Sequence, residues 1–349
     1  MKRIDKIKDY LINRKKDGIL ITSYPNVFYF SGFTSEDAIL YINKEKAYLL
    51  TDSRYTIQAR KEAKGYEIII IKKGFVDELK NLIKDGENIL FEESISFIRY
   101  NAYSNNLNCN FEATNIDSLR NIKDDKEIKY IKKACDIASK TYEHTIQYVK
   151  PGMKEKDIEN EMIHYMKSLG ATKESFEIIV ASGKRGAMPH GAASNKVIKE
   201  GEFVTLDYGC VYKGYCSDIT RSFLVGENKK MTRVYNVVKK AQELATKHVK
   251  AGVKASEVDK VARDYIESKG YGKYFTHSTG HGLGIEVHDP ISVSSRSDMI
   301  LEENMIITIE PGIYIDGVGG IRIEDDVLVT KDGYKILTKA SKKLIKITK

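Results

Sequence analysis

The sequence contains a copy of part of itself. VKPGMKEKDIENEMIHYMKSLG (Val149–Gly170) aligns without gaps on VKAGVKASEVDKVARDYIESKG (Val249–Gly270), one hundred positions later. Val, Lys, Gly, Lys, Tyr, Ser and the final Gly coincide, and the apolar spacing is shared. Further on, EGEFVTLD (Glu200–Asp207) aligns with ENMIITIE (Glu303–Glu310) at an offset of 103. Each copy reads as a helix followed by a hairpin, and two such units imply an internal pseudo-twofold arrangement. The alignment also carries chemistry, because it sets Glu310 where Asp207 stands.

The first hairpin, GEFVTLDYGCVYKGYCSDITRSFL (Gly201–Leu224), has strand formers in both arms and a Gly-assisted turn between them. Two carboxylates, Asp207 and Asp218, interrupt those arms. A turn centred between Tyr212 and Lys213 sets them opposite each other, where like charges repel unless a cation lies between. A divalent metal answers that need. The second hairpin carries Glu324 on its return strand, in GIRIEDDVLV, as the first carries Asp218. Asp207, Asp218, Glu310 and Glu324 together carry a charge of −4, which one divalent ion cannot neutralise and two can. Two ions roughly 3.5–4 Å apart activate a water and polarise a substrate carbonyl. A histidine ligand is expected from FTHSTGHGLGIEVHDP (Phe275–Pro290): His281 lies between glycines, and His277 and His288 compete with it.

Ahead of the duplication, from Gly18 to about Leu119, the runs GILIT, AILYI, KAYLLT, YEIIII and NILF read as strands. Thr56–Lys64, Phe75–Lys84 and Ser96–Asn105 read as helices, and the alternation marks an α/β domain. A charged segment with helical apolar spacing follows, which places the domain boundary near Lys123: one domain over 1–122 and a second over 123–349. The opening MKRIDKIKDYLINRKKDG reads as an amphipathic helix rather than a signal peptide, and no run approaches the ~18 apolar residues of a membrane span. A cytoplasmic location is expected. The formal charge of +8 comes mostly from scattered Lys, which argues against a nucleic-acid partner, and no membrane partner is expected. Cys109, Cys135, Cys210 and Cys216 form no CxxC and read as reduced, mostly buried thiols. Cys216 lies close to Asp218, but soft thiolates seldom share a site with hard carboxylates.

The segments LDYGCVYKGYCSDITRSF, HSTGHGLGIEVHD, TIEPGIY and GIRIED resemble the pita-bread metallopeptidases, in their prolidase and aminopeptidase P branch. YPNVFYFSGFTSEDAILYI and LLTDSRYTIQA resemble the creatinase-type N-terminal domain found with that branch. The resemblance implies a creatinase-like α/β domain followed by a pseudo-twofold pita-bread domain. It selects His281 as the metal-binding histidine. By it, Asp207 would bind one metal, His281 and Glu310 the other, and Asp218 and Glu324 would bridge. His190 and His288 would line the substrate site, His277 would be a further active-site histidine, and Arg322 would support the ligands. The activity implied is hydrolysis of Xaa-Pro bonds, with Glu310 as proton shuttle, Mn²⁺ or Co²⁺ as the metals (Zn²⁺ or Fe²⁺ also compatible), and a homodimer. The subtype, Xaa-Pro dipeptidase or Xaa-Pro aminopeptidase, stays open. The rivals are a methionine-aminopeptidase-like enzyme, which typically lacks the first domain, a creatinase, which keeps the fold without the metals and is opposed by the intact ligand set, and a catalytically silent peptide-binding module, which would carry substituted ligands. The loop Gly32–Asp37 is expected to reach toward a partner's site.

Overall fold

The computed structural model describes residues 3–348, which form two compact units dividing between Leu119 and Arg120. The division falls ahead of the expected boundary near Lys123. Leu119 offers its carbonyl to Tyr29 Oη within the first unit. Arg120 and Lys123 are instead buried beside Asp289 of the second, with Lys123 Nζ 3.0 Å from its carboxylate. Among the described residues no helix is long and apolar enough to cross a membrane.

The first unit holds a six-stranded sheet of β1 (Gly18–Ile21), β2 (Ala38–Asn43), β3 (Ala47–Thr51), β4 (Glu67–Ile70), β5 (Asn88–Glu92) and β6 (Asn110–Thr114), in the order β4-β3-β2-β1-β5-β6. The five apolar runs form five of these strands. β6 escapes sequence reading because it lies at the sheet edge and is largely exposed, so it carries no apolar run. Helix Tyr24–Ser31, with Pro25 in its first turn, was likewise not expected. The helix from Phe75 ends at Leu79 and passes into turns, short of Lys84. In the loop after Gly32, Thr34 bonds to Glu62 and Tyr55 donates to Asp37, so this segment is tied to its own unit.

The second unit shows the duplication down to single hydrogen bonds. Helices Glu155–Ser168 and Ala255–Ser268 follow the longer helices Asp125–Tyr148 and Lys229–His248. Lys154 bridges to Val197 as Lys254 does to Ile300. Gly152 donates to the Ile198 carbonyl as Gly252 does to that of Leu301. Two sheets carry the copies: Ile179–Ser182, Phe203–Tyr208 and Ile219–Val225 in one, and Gly280–Gly282, Asp289–Val293, Ile306–Ile309 and Asp325–Thr330 in the other.

Strand register corrects the expected placing of the acids. The first turn is Lys213–Gly214, both with positive φ (53° and 85°), which suits a two-residue hairpin turn. Asp207 therefore faces Thr220, and Asp218 sits diagonally, two residues nearer the tip on the same face. In the second hairpin, Ile309 pairs with Asp325 and Gly312 with Arg322, so Glu310 faces Glu324. Glu324 is thus the counterpart of Thr220, and the place of Asp218 is taken by Arg322. The hairpins meet where Glu324 N–H donates to the Thr220 carbonyl at 3.1 Å.

The ladder is interrupted beside Asp218, where Gly209 lets the two arms approach: a β-carbon there would lie 1.7 Å from the Ser217 carbonyl oxygen. Gly209→Ala should destabilise the fold by about 1–3 kcal/mol, the usual cost of forcing volume into a packed interior. An unchanged thermal midpoint in differential scanning calorimetry would contradict this.

Candidate active site

All nine side chains singled out from the sequence line one cavity of about 670 Å³: Asp207, Asp218, Glu310 and Glu324, the histidines 190, 277, 281 and 288, and Arg322. Strand alternation accounts for much of this. Asp207 and Glu310 occupy matching places on the first arms of the two hairpins, and their return arms bring Asp218, Arg322 and Glu324 to the same space.

His281 stands at the centre of the acids. Its Nε2 lies 3.4 Å from Glu310 Oε1 and 3.6 Å from Asp218 Oδ2. Its Nδ1–H donates to the Gly282 carbonyl at 3.0 Å, leaving the Nε2 lone pair toward the carboxylates. Gly280 makes this possible, because a β-carbon there would lie 1.9 Å from the Thr308 carbonyl. Thr308 Oγ accepts from His281 N–H at 3.1 Å and donates to Glu310 at 3.3 Å, fixing two site residues at once.

The acids are short of hydrogen-bond donors. Asp207 Oδ1, Asp218 Oδ1 and Glu324 Oε1 are buried with no hydrogen-bond partner. Burying a carboxylate with one oxygen left unsatisfied is costly, and a whole domain is stable by only about 5–15 kcal/mol. The acidities of Asp218, Glu324 and Glu310 record the burial. Burial, reinforced by Glu324, drives Asp218 well above the carboxylate range, and burial with Glu310 does the same to Glu324. Burial pushes Glu310 up to about 8. Asp218, His281 and Glu324 each offer a ligand atom, all within 4.8 Å of one another. Unsatisfied hard oxygens converging on one imidazole suit divalent cations, so the donor set fits metal.

Around this cluster runs a relay of hydrogen bonds. Arg322 pairs with Asp207 and donates to Tyr314 Oη at 2.6 Å, and Tyr314 donates to His277 Nε2 at 2.9 Å. His277 Nδ1–H ends on the Ser278 carbonyl. Burial, with Arg322 nearby, lowers His277 to about 4, so it stays neutral and keeps these roles at physiological pH. Burial also lowers His281 and His288.

Sequence reasoning missed three members of this frame. Tyr314 ends the segment TIEPGIY, but nothing local says where its hydroxyl points. Thr220 donates to Glu324 at 2.6 Å. Asp326, next but one to Glu324, accepts the Asp218 N–H at 2.9 Å, and Cys135 also donates to it. Cys216 donates to the Ile285 carbonyl and stays out of the acid cluster.

Residues 129–331 match metallopeptidase family M24, and residues 3–122 match the creatinase/prolidase N-terminal domain. The chain belongs to metallopeptidase family M24. An uncharacterized peptidase of Bacillus subtilis is 42% identical, covering 98% of this chain and 99% of the relative. The Xaa-Pro dipeptidase from Bacillus anthracis superposes with a TM-score of 0.96 at 43% identity, over 99% of each chain. The X-Pro aminopeptidase from Thermotoga maritima gives 0.92 at 38% identity, over 99% of this chain and all of that one. The M24 chain therefore has a creatinase-type domain and a pita-bread domain, and the family implies divalent metal at the acid cluster.

Metal binding at this cluster should release protons, because carboxyls held protonated by burial must ionise to become ligands. With Glu310 near 8, metal affinity should rise with pH up to about 8. Calorimetric titration of the metal-stripped enzyme in buffers of different ionisation enthalpy checks this. Uptake without proton release would contradict it.

Proposed function

We propose that the chain is a two-metal exopeptidase hydrolysing Xaa-Pro bonds, as an Xaa-Pro dipeptidase or an Xaa-Pro aminopeptidase. The observation that carries this reading is the trio of buried carboxylate oxygens without hydrogen bonds, on Asp207, Asp218 and Glu324, in one cavity where Asp218 and Glu324 converge on His281. Full-length likeness to the Bacillus anthracis dipeptidase and the Thermotoga maritima aminopeptidase supports the choice of substrate.

In this reading Asp207, Asp218, His281, Glu310 and Glu324 would hold the two ions, Asp207 serving one, His281 and Glu310 the other, and Asp218 and Glu324 both. Four carboxylates and one imidazole suit Mn²⁺ or Co²⁺, with Zn²⁺ or Fe²⁺ compatible. Ions bound there would lower the pKa of water and polarise the scissile carbonyl.

The protein's own groups do the rest. An Xaa-Pro bond is a tertiary amide without N–H, so recognition cannot use that donor. His190 and His288, on the cavity wall, hydrogen-bond the scissile region and the developing oxyanion. Glu310, steered by Thr308, takes a proton from the attacking water and passes it to the prolyl nitrogen as the bond breaks. The Arg322–Tyr314–His277 relay holds Asp207 and the wall in place. A cytoplasmic homodimer completes the reading.

Mn²⁺-loaded enzyme should cleave an Xaa-Pro dipeptide or an Xaa-Pro-led longer peptide, and inactivity on both would overturn the proposal. Comparing Ala-Pro with Ala-Pro-Xaa separates the two subtypes. Asp218→Ala or Glu324→Ala should abolish turnover and lower metal content below that of the unsubstituted enzyme. Unchanged metal content would refute the bridging roles.

A further inference from the structure

His190 lies on the loop between Ser182 and Ser194, exposed at the cavity, and its ring makes no hydrogen bond among the described residues. The place from which that ring reaches into the cavity is therefore set by its backbone. The carbonyls flanking His190 and Gly191 are each held by an arginine. Arg322 donates to Pro189 O at 3.2 Å, and Arg185 donates to Ala192 O at 2.5 Å.

Arg185 is anchored in turn. Its Nε donates at 3.0 Å to Glu155, the first residue of helix Glu155–Ser168 and fully buried. The same carboxylate accepts from Ser182 N–H (2.8 Å) and Oγ (2.7 Å), and from Ser194 N–H (3.2 Å) and Oγ (2.6 Å). One side chain thus fastens both ends of the loop and, through Arg185, the Ala192 carbonyl two residues after His190. A carboxylate at a helix start ordinarily caps its own helix, but all five of these donors belong to the loop. Burying the charge costs several kcal/mol unless its lone pairs are satisfied, and here the loop satisfies them.

The second copy of the repeat reaches the same result from a different position. Asp259, fully buried in Ala255–Ser268, accepts from Thr279 N–H and Oγ and from Arg263, whose guanidinium donates to the His277 carbonyl at 2.9 Å. Each cavity loop is latched by a buried acid and its arginine.

We infer that Glu155 is a positioning residue that acts through Arg185 to hold His190 against the substrate; its kinetic consequence rests on the Xaa-Pro reading above. Glu155→Gln keeps an acceptor for Ser182 but presents an amide N–H₂ to Arg185 and Ser194. Hydrogen exchange of residues 183–194 should rise about ten- to hundredfold, the scale of a lost bond to a charged group. The value of kcat/KM on an Xaa-Pro peptide should fall by a similar factor, with metal content unchanged. In a His190→Ala background the same substitution should change kcat/KM less than about twofold, because residues acting through one another are not additive. Ser194→Ala, which leaves Arg185 paired, should give the same pattern at smaller size and serves if Glu155→Gln does not fold. Unchanged loop exchange, or an undiminished kinetic effect without His190, would overturn the inference. The exchange measurement needs no substrate, so an error in the Xaa-Pro reading shows separately, as inactivity of the unsubstituted enzyme.

Discussion

Carboxylates from two ribbons face one another in a single buried cavity, and their repulsion sets the terms for the surrounding structure. Such a cluster persists only if the backbone that carries it is held by interactions stronger than the tendency of the acids to separate. Arg221 supplies them. Fully buried next to Thr220, it donates to the Thr220 carbonyl at 2.9 Å, to the Glu324 carbonyl on the opposite ribbon, to Asp325 at 2.6 Å and to Ala340 O at 2.7 Å. Asp325 is also met by Thr338, Gln242 and Lys342, and this pairing, led by Arg221, keeps it ionised against the pull of burial. Strand alternation divides the labour along three consecutive residues. Glu324 lines the cavity, Asp325 takes Arg221 on the other face, and Asp326 returns to hold the Asp218 backbone.

The site is built from a duplication and works because the copies have diverged. Two identical hairpins would present matched acids and no means of orienting them. Here Thr220 stands opposite Asp207 and donates to Glu324, while Arg322 occupies the place that Asp218 holds in the first copy and pairs with Asp207. Each half contributes two acids, but at different places along its hairpin, and the second adds a cation. The proposed metal cluster and the histidines 190, 277 and 288 share one cavity, with the His288 ring 4.2 Å from that of His281.

Much of this was legible in the chain itself. The repeat spacing announced the pseudo-twofold, apolar runs located five strands of the first unit, and acids lodged in strand-forming segments, with glycine-flanked histidines, picked out the cavity. What escaped were features whose local signal is weak or absent. β6 is exposed at a sheet edge, helix Tyr24–Ser31 is short and rich in aromatics, and Tyr314, Thr220 and Asp326 are ordinary polar residues until their partners are known.

The amino-acid order by itself determined which residue types would be buried together and that they would come in two related sets, because side-chain period and polarity are properties of each segment. Only the tertiary structure decided which acid faces which. A positive φ at Lys213 and Gly214 moves the hairpin register by one residue on the turn, and so by two across the strands, turning an expected opposite pair into a diagonal one. Contacts between ribbons more than one hundred residues apart then choose the partners of each carboxylate, and no local pattern encodes a distance of that kind.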